Sequence, residues 1–241
     1  MTDRPIDPTT QARLGAVSTA TLATVLFKRG LRNQFVQGAR RLGAGKRPNM
    51  VGRAFTLRYI PAREDLDVLE GYRDPEHPQR KAIESVPPGQ ILVIDCRGDP
   101  RAASAGGILM TRLHVRGCAG VVTDGGLRDV EEIGGLAMPA YCAGPSAPTT
   151  LTRHHAVDMQ LPIGCGEVAV FPGDVLVGDG DGVIVVPQEI ADEVAAEAAE
   201  QESLETFVLE QVAGGSALPG TYPPNDDTRA RYAAWRAKRE D

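Results

Sequence analysis

The stretch "VVTDGGLRDVEE", residues 121 to 132, sets a cation among carboxylates at the end of an apolar run. Val121 to Thr123 lead into Asp124. Two glycines follow, then Arg128 and Asp129 side by side, then Glu131 and Glu132. A guanidinium presents a planar fork that grips a carboxylate with two parallel hydrogen bonds. An adjacent acid supplies a hard oxygen for Mg²⁺ or Mn²⁺, ions typically held by few carboxylates plus waters. Arg128 is therefore the candidate for binding an organic anion and Asp129 for anchoring a metal. Asp124 and Glu132 are candidates for supporting the metal or moving a proton. Glu132 falls one helical turn beyond Asp129. The same letters also fit a plain turn, with Asp129 capping a short helix.

A second glycine pair, in "SAGGIL" (104–109), complements the first. Gly106 and Gly107 let backbone N–H groups face a ligand, and a helix starting there adds partial positive charge. That makes a concavity suited to a carboxylate.

Both segments need a scaffold. "QILVID" (90–95) reads as a fully buried strand, a helix follows from about 106 to 116, and "GVVTD" (120–124) is the next strand. This β-α-β rhythm favours a parallel crossover. In such a unit, the loop opening the helix and the loop after the second strand flank one crevice. Upstream, "VSTATLATVLFKRG" (17–30) repeats Leu22, Val25 and Leu26 at helical spacing, behind Ser18 or Thr19 as cap. "VGRAFTLRYI" (51–60) alternates as a strand, and "RKAIESV" is a short helix stopped by Pro87 and Pro88. Residues 61–77 are charged and broken by Gly71 and Pro75, which predicts an irregular excursion.

Short strands are predicted at 139–143, 167–171, 174–178 and 183–186. "VLVGDGDGVIVV" is a hairpin rather than a phosphate loop, because strand follows strand with no helix N-terminus to meet an anion. A long helix runs from 188 to about 212, with Ile190, Val194, Ala198 and Leu204 spaced for packing. Residues 213–225 form a Gly/Pro-rich linker, and a last helix at about 226–239 carries Tyr232 and Trp235 among arginines. The division expected is a main domain over 1–212 and a carboxy-terminal extension over 213–241. The extension is expected to pack on that domain or on a neighbouring subunit.

Composition narrows the function. The 241 residues are 42% apolar and 24% charged, enough for a proper core. A formal charge of −6 argues against a dedicated nucleic-acid binder. The opening "MTDRPIDPTTQARLG" has no apolar segment of the kind a secretory leader needs, and no window reaches about 18 uninterrupted apolar residues. Cys96, Cys118, Cys142 and Cys165 show no CxxC spacing and read as core thiols, so a reducing cytoplasm is expected. His154 and His155 are adjacent, so on a strand they face opposite ways and do not share a metal. Ser104 has no readable base partner, and His114 reads as a helix-surface residue.

The segments "VSTATLATVLFKRG", "GGILMTRLHVRGCAGVVTDGGLRDVEEI" and "PGDVLVGDGDGVIVVP" together resemble the RraA-like family. That family includes class II aldolases of 4-hydroxy-4-methyl-2-oxoglutarate and 4-carboxy-4-hydroxy-2-oxoadipate, and the RraA regulators of ribonuclease E. The resemblance covers most of residues 15–210. It implies an α/β fold, a swivelling β/β/α domain like that of phosphohistidine domains, in trimers or hexamers with sites between subunits. It further implies that Arg128 holds the oxo acid and that Asp129 anchors a divalent metal, Mg²⁺ or Mn²⁺. The amides of Gly106, Gly107, Ile108 and Leu109 would hold the pyruvate carboxylate. A carboxy-terminal helix acid, Glu202 or Glu205, would reach the metal from a neighbouring subunit. One departure stands out: the acid that several aldolases carry twenty-one positions before the arginine is here Gly107.

The expected activity is that of a metal-dependent lyase on pyruvate-type 2-oxo acids, by retro-aldol cleavage or oxaloacetate decarboxylation. Arg128 and Asp124 are the expected catalytic groups. Both reactions leave charge on an enolate, which a Lewis acid and an arginine stabilise. No lysine in these motifs suggests a Schiff base. The competing expectations are a non-catalytic regulator of a ribonuclease or another enzyme, and a lyase or hydratase on a sugar-acid-derived oxo acid.

Overall fold

The computed structural model describes residues 5–45 and 47–240; residues 1–4, at the start of the amino-terminal stretch read above, lie outside it, as do 46 and 241. The chain opens with two helices, α1 (Pro8–Ala16) and α2 (Thr19–Lys28), then β1 (Arg40–Arg41), β2 (Met50–Pro61) and α3 (Pro78–Ser85). The central run is β3 (Gln90–Asp95), β4 (Ala103–Ala105), α4 (Gly107–Val115), β5 (Gly120–Thr123), β6 (Gly126–Leu127), α5 (Val130–Gly135), β7 (Ala140–Cys142) and β8 (Gly144–Pro145). There follow β9 (His154–Met159), β10 (Ile163–Cys165), β11 (Val168–Val170), β12 (Val175–Gly178) and β13 (Val183–Val186). The chain closes with α6 (Ala191–Ala213), a single turn α7 (Leu218–Thr221), and α8 (Asp226–Glu240).

The main sheet runs β1-β7-β5-β3-β2-β12-β13, and β9 pairs with the far half of β2. The strands β2, β3, β5 and β7 are parallel, each joined to the next through a helix, as the β-α-β rhythm predicts. Phe35 bridges Ile184 of β13, and a few residues later Arg40 and Arg41 pair with β7. This short segment draws the two sheet edges together into a nearly closed barrel. The "GDGDG" segment joins the antiparallel β12 and β13, and Asp179 at its start accepts from the amides of Asp181 and Gly182, so it is a hairpin turn.

Strand alternation divides the core. In the fully buried β3, Ile91 and Val93 face the barrel interior with Met50, Val122, Tyr141, Leu176 and Cys165. Leu92 and Ile94 face the layer of α3, α4 and α5 with Ile83, Met110, Leu113 and Ile133. On the remaining side, Val175, Val177, Ile184 and Val186 pack on Leu22, Val25 and Leu26 of α2 and on Val194, Ala195 and Ala198 of α6. Strands covered on both faces read as continuous apolar runs for this reason. Ser18 caps α2, its side chain accepting from the amide of Thr21.

The sequence underestimates three elements. The predicted helix at 17–30 is preceded by a separate helix, α1, capped by Asp7. The strand β9 shows no apolar alternation because the two residues it buries are His154 and Ala156, while Val157, Asp158 and Met159 are only half-buried. The small sheet β4-β6-β8 consists of segments two or three residues long, too short to show a pattern. His154 and His155 do point to opposite faces of β9: His154 is buried against the Tyr59 ring, and His155 bonds Asp67. α8 packs back on α6 by an aromatic cluster of Phe207, Tyr232 and Trp235. Among the described residues no helix is long and apolar enough to cross a membrane.

Candidate functional site

The small sheet sits where the parallel strands end, and it positions the candidate residues. β4 leads straight into the α4 N-terminus, and β6 leads into Arg128 and Asp129. The two run parallel, and the Arg128 amide donates to the Ala105 carbonyl. The two glycine-rich segments predicted to flank one crevice are therefore hydrogen-bonded neighbours.

The glycines serve close approach rather than turning. A β-carbon on Gly125 would lie 2.5 Å from Cys96 Sγ, and one on Gly126 would lie 2.7 Å from the Pro100 carbonyl. Neither glycine needs a positive φ. At Gly106 a β-carbon would fall 2.6 Å from Arg128 Nε and 2.9 Å from Asp129 Oδ2, so only glycine lets the Arg128 side chain lie across the loop.

Asp129 stands at the N-cap of α5 in the left-handed region, φ 60° and ψ 41°. Aspartate tolerates that conformation better than most residues, and such residues cluster at functional sites. Asp129 does not cap its own helix. Its Oδ2 instead accepts from the Gly107 amide, 2.9 Å away, and lies 3.6 Å from Arg128 Nε. The plain-turn reading of Asp129 as a helix cap therefore does not describe the structure. Both side chains remain nearly half exposed, 46% for Arg128 and 42% for Asp129. Glu132 Oε2 comes to the same place, 2.6 Å from the position of a Gly107 β-carbon. Arg128, Asp129, Glu132 and the first turn of α4 with Ile108 and Leu109 thus form one cluster.

Asp124 is not in it. Predicted at a crevice rim as a catalytic group, its carboxylate is 5% exposed and accepts from the amides of Cys96, Gly98 and Gly166 at 2.6, 2.8 and 3.3 Å. It ties the end of β5 to the loops after β3 and β10. Burial beside this carboxylate and Asp95 pushes the Cys96 thiol up, so that thiol is inert. Glu202 and Glu205 are also elsewhere within one chain. Glu202 accepts from the Ser18 amide and the Ser18 and Thr21 hydroxyls, and Glu205 from Thr21, at the start of α2. Ser104 is fully buried with its hydroxyl donating to the Gly126 carbonyl, which rules it out as a nucleophile.

Two residues that the sequence does not single out complete the surroundings. A cavity of about 190 Å³ beside Arg128 is walled partly by Tyr72 and Arg80, from the excursion and α3. The Arg80 guanidinium lies 4.5 Å from the centroid of the Tyr72 ring. No spacing signal marks this pair, since the excursion reads only as charged and irregular.

The donor set allows a test of metal binding. Among the described residues no three His, Cys, Asp or Glu stand together as a metal cage. One chain offers Asp129 and Glu132 at this point. Mg²⁺ and Mn²⁺ keep most of their waters and take one or two carboxylates, so these residues fit such an ion; a zinc-type cage is not present among the described residues.

The chain is 37% identical over 108 residues to a putative 4-hydroxy-4-methyl-2-oxoglutarate aldolase of Halalkalibacterium halodurans, covering 45% of this chain and 51% of the relative, so it spans about half that protein's length. It is 32% identical over 149 residues to a 4-hydroxy-4-methyl-2-oxoglutarate aldolase of Thermus thermophilus, covering 60% of this chain and 79% of the other. Streptomyces coelicolor RraAS2, described as an unusual member of the RNase ES inhibitor RraA protein family, superposes with a TM-score of 0.75. It is 29% identical, covering 85% of this chain and 97% of that one. The family pattern "RraA-like: Aldolase/RraA" matches residues 19–185, more than half of the chain, and the chain belongs to the RraA-like family.

Proposed function

We propose that this protein is a divalent-metal-dependent lyase acting on pyruvate-type 2-oxo acids, cleaving 4-hydroxy-2-oxo acids or decarboxylating oxaloacetate. The observation that carries the reading is the Arg128–Asp129 pair, held half exposed at the α4 N-terminus by a left-handed Asp129 and a glycine at 106. The aldolase names of the relatives support it.

In this reading the oxo-acid carboxylate lies against the first turn of α4. The amides of Ile108 and Leu109 have no intrahelical partner there, and the helix dipole favours an anion. Gly107 gives its amide to Asp129 and is not a substrate donor. The Arg128 guanidinium faces the oxo oxygen and offsets the charge that develops there as the C3–C4 bond breaks. Asp129 and Glu132 would hold a divalent cation, which when bound would supply Lewis-acid stabilisation of the enolate charge. The hydroxyl at C4 must lose its proton as that bond breaks, and C3 of the enolate must gain one. Asp124 is spoken for by three amides. Glu132 is exposed, and it is the acid of this cluster proposed to move a proton, directly or through a water of the cation. Glu202 or Glu205 of a neighbouring copy in a homotrimer or hexamer would add a further carboxylate. A cytoplasmic location and a small-molecule partner, with neither nucleic acid nor membrane contact, complete the proposal.

The test is pyruvate release from oxaloacetate or 4-hydroxy-4-methyl-2-oxoglutarate with Mg²⁺ or Mn²⁺, abolished by EDTA. A regulator of a ribonuclease is the second reading, favoured by the likeness to RraAS2. Absence of metal-dependent turnover across a panel of 2-oxo acids would select it.

A further inference from the structure

The cavity beside Arg128 holds two guanidiniums and no acid. Arg128 enters from the β6 end and Arg80 from α3, and Gly106 and Thr149 also line the wall. None of the residues lining it is Asp or Glu. Arg80 has no carboxylate or carbonyl partner among the described residues; what holds it is the face of Tyr72, 4.5 Å away. The contrast with its neighbourhood is sharp. Arg112, on the adjacent helix, forms two hydrogen bonds to Glu84 of α3 at 2.9 and 2.8 Å. An acid was thus available on α3 for an arginine that needed one, and it went to Arg112. The Thr149 hydroxyl makes no bond among the described residues either, whereas Thr150 beside it is committed to the Ala103 carbonyl at 2.7 Å.

A guanidinium always carries its charge and has five donors to satisfy. Stacking on an aromatic face fixes its plane while leaving the donor edge open. At about 190 Å³ the cavity is below the roughly 300 Å³ at which drug-sized ligand pockets begin, so it suits an acid of a few carbons.

We propose that Arg80, oriented by Tyr72 and joined by the Thr149 hydroxyl, is the subsite for a second carboxylate, making this chain selective for dicarboxylic over monocarboxylic 2-oxo acids. This rests on the reading of Arg128 as the oxo-acid end of the site. The excursion over 61–77 then has a function: it carries the aromatic face that aims the specificity residue.

The experiment measures binding rather than turnover, so that it stands apart from the lyase reading. The full chain with Mg²⁺ is titrated calorimetrically with 2-oxoglutarate and with 2-oxopentanoate, acids of equal length that differ in the distal carboxylate. A charge-assisted hydrogen bond contributes about 10- to 100-fold in affinity. The wild-type protein should therefore prefer 2-oxoglutarate by about that ratio, and Arg80→Ala should bring the ratio to within about threefold of unity. Arg80→Lys, which keeps the stem and charge but loses the fork, should fall between. A ratio near one in the wild-type protein, or a ratio unchanged in Arg80→Ala, overturns the subsite. If the ratio collapses as expected while no oxo acid is turned over, the subsite stands and the lyase reading falls. If turnover is present and the ratio is flat, the lyase reading stands and the subsite falls.

Discussion

Glu132 Oε2 lies 2.6 Å from the point where a β-carbon on Gly107 would stand, and Asp129 Oδ2 lies 3.4 Å from that same point. Position 107, where the family resemblance leads one to expect an acid, is thus approached here by carboxylates from a different element. The missing carboxylate of α4 is met by one from α5, a helical turn beyond Asp129.

This relationship predicts a compensating pair. Glu132→Ala should lower metal-dependent turnover by about 100-fold, where the usual weights of a group that supports a metal and of one that moves a proton meet. Gly107→Asp in the Glu132→Ala background should recover much of it, since an aspartate there enters the vacated space at a favourable helix N-terminus. A double variant no more active than Glu132→Ala would show that the two positions are not equivalent.

Arg128 and Asp129 should be separable from stability. Both are nearly half exposed, so their removal opens no cavity. Arg128→Ala should reduce kcat/KM by at least about 100-fold with Tm changed by only a few degrees. For Asp129 the clean variant is Asn, because asparagine tolerates the left-handed backbone that alanine would strain. Full activity of Asp129→Asn would remove the residue from the site.

Asp124 should behave in the opposite way. Replacing it with alanine leaves the amides of Cys96, Gly98 and Gly166 without their acceptor in a buried place. The cost is about 3 kcal/mol or more, a Tm loss of about 6–12 °C for a chain of this size. A stable but inactive Asp124→Ala protein would restore it as a catalytic group.

Histidine burial gives a pH signature. Burial, with the Arg97 cation adding to it, holds His154 below its ordinary value of 6.5, and Arg97 Nη2 lies 3.2 Å from its Nδ1. His77 is lowered by burial and by Arg80. The unfolded chain takes up these protons first. Stability is therefore complete above about pH 6.5 and falls as pH drops toward the depressed folded values. Thermal unfolding at pH 7.5, 6.5 and 5.5 should show Tm decreasing over that window. His154→Phe, which preserves the stack on Tyr59 and cannot be protonated, should flatten part of the slope.

What the sequence determined by itself is what local pattern encodes. The apolar runs at 90–95 and 120–123 become parallel β3 and β5, because residues covered on both faces leave no polar alternation. The Ser18 cap and the Asp-Gly hairpin are short-range devices, legible as letters. The Arg128–Asp129 pair is equally visible, and so is the nearness of the Gly106 loop, because a β-α-β unit brings both to one end of the strands.

Tertiary structure decided the rest, wherever an outcome depends on which partner reaches a group first. Asp124 and Asp129 look alike in the sequence. One is drawn inward because three amides from two loops converge on it, and the other stays outside because a single amide of α4 does. Glycines 125 and 126 read as a turn, yet they are there because Cys96 and Pro100 pass within contact distance, a fact of packing between distant segments. Arg80 was one arginine among many until the fold gave Glu84 to Arg112 and left Arg80 lining a cavity, stacked on Tyr72 and with no carboxylate partner among the described residues. Charge and hydrogen-bond capacity are properties of residues, but whether they are spent or free is a property of the folded chain.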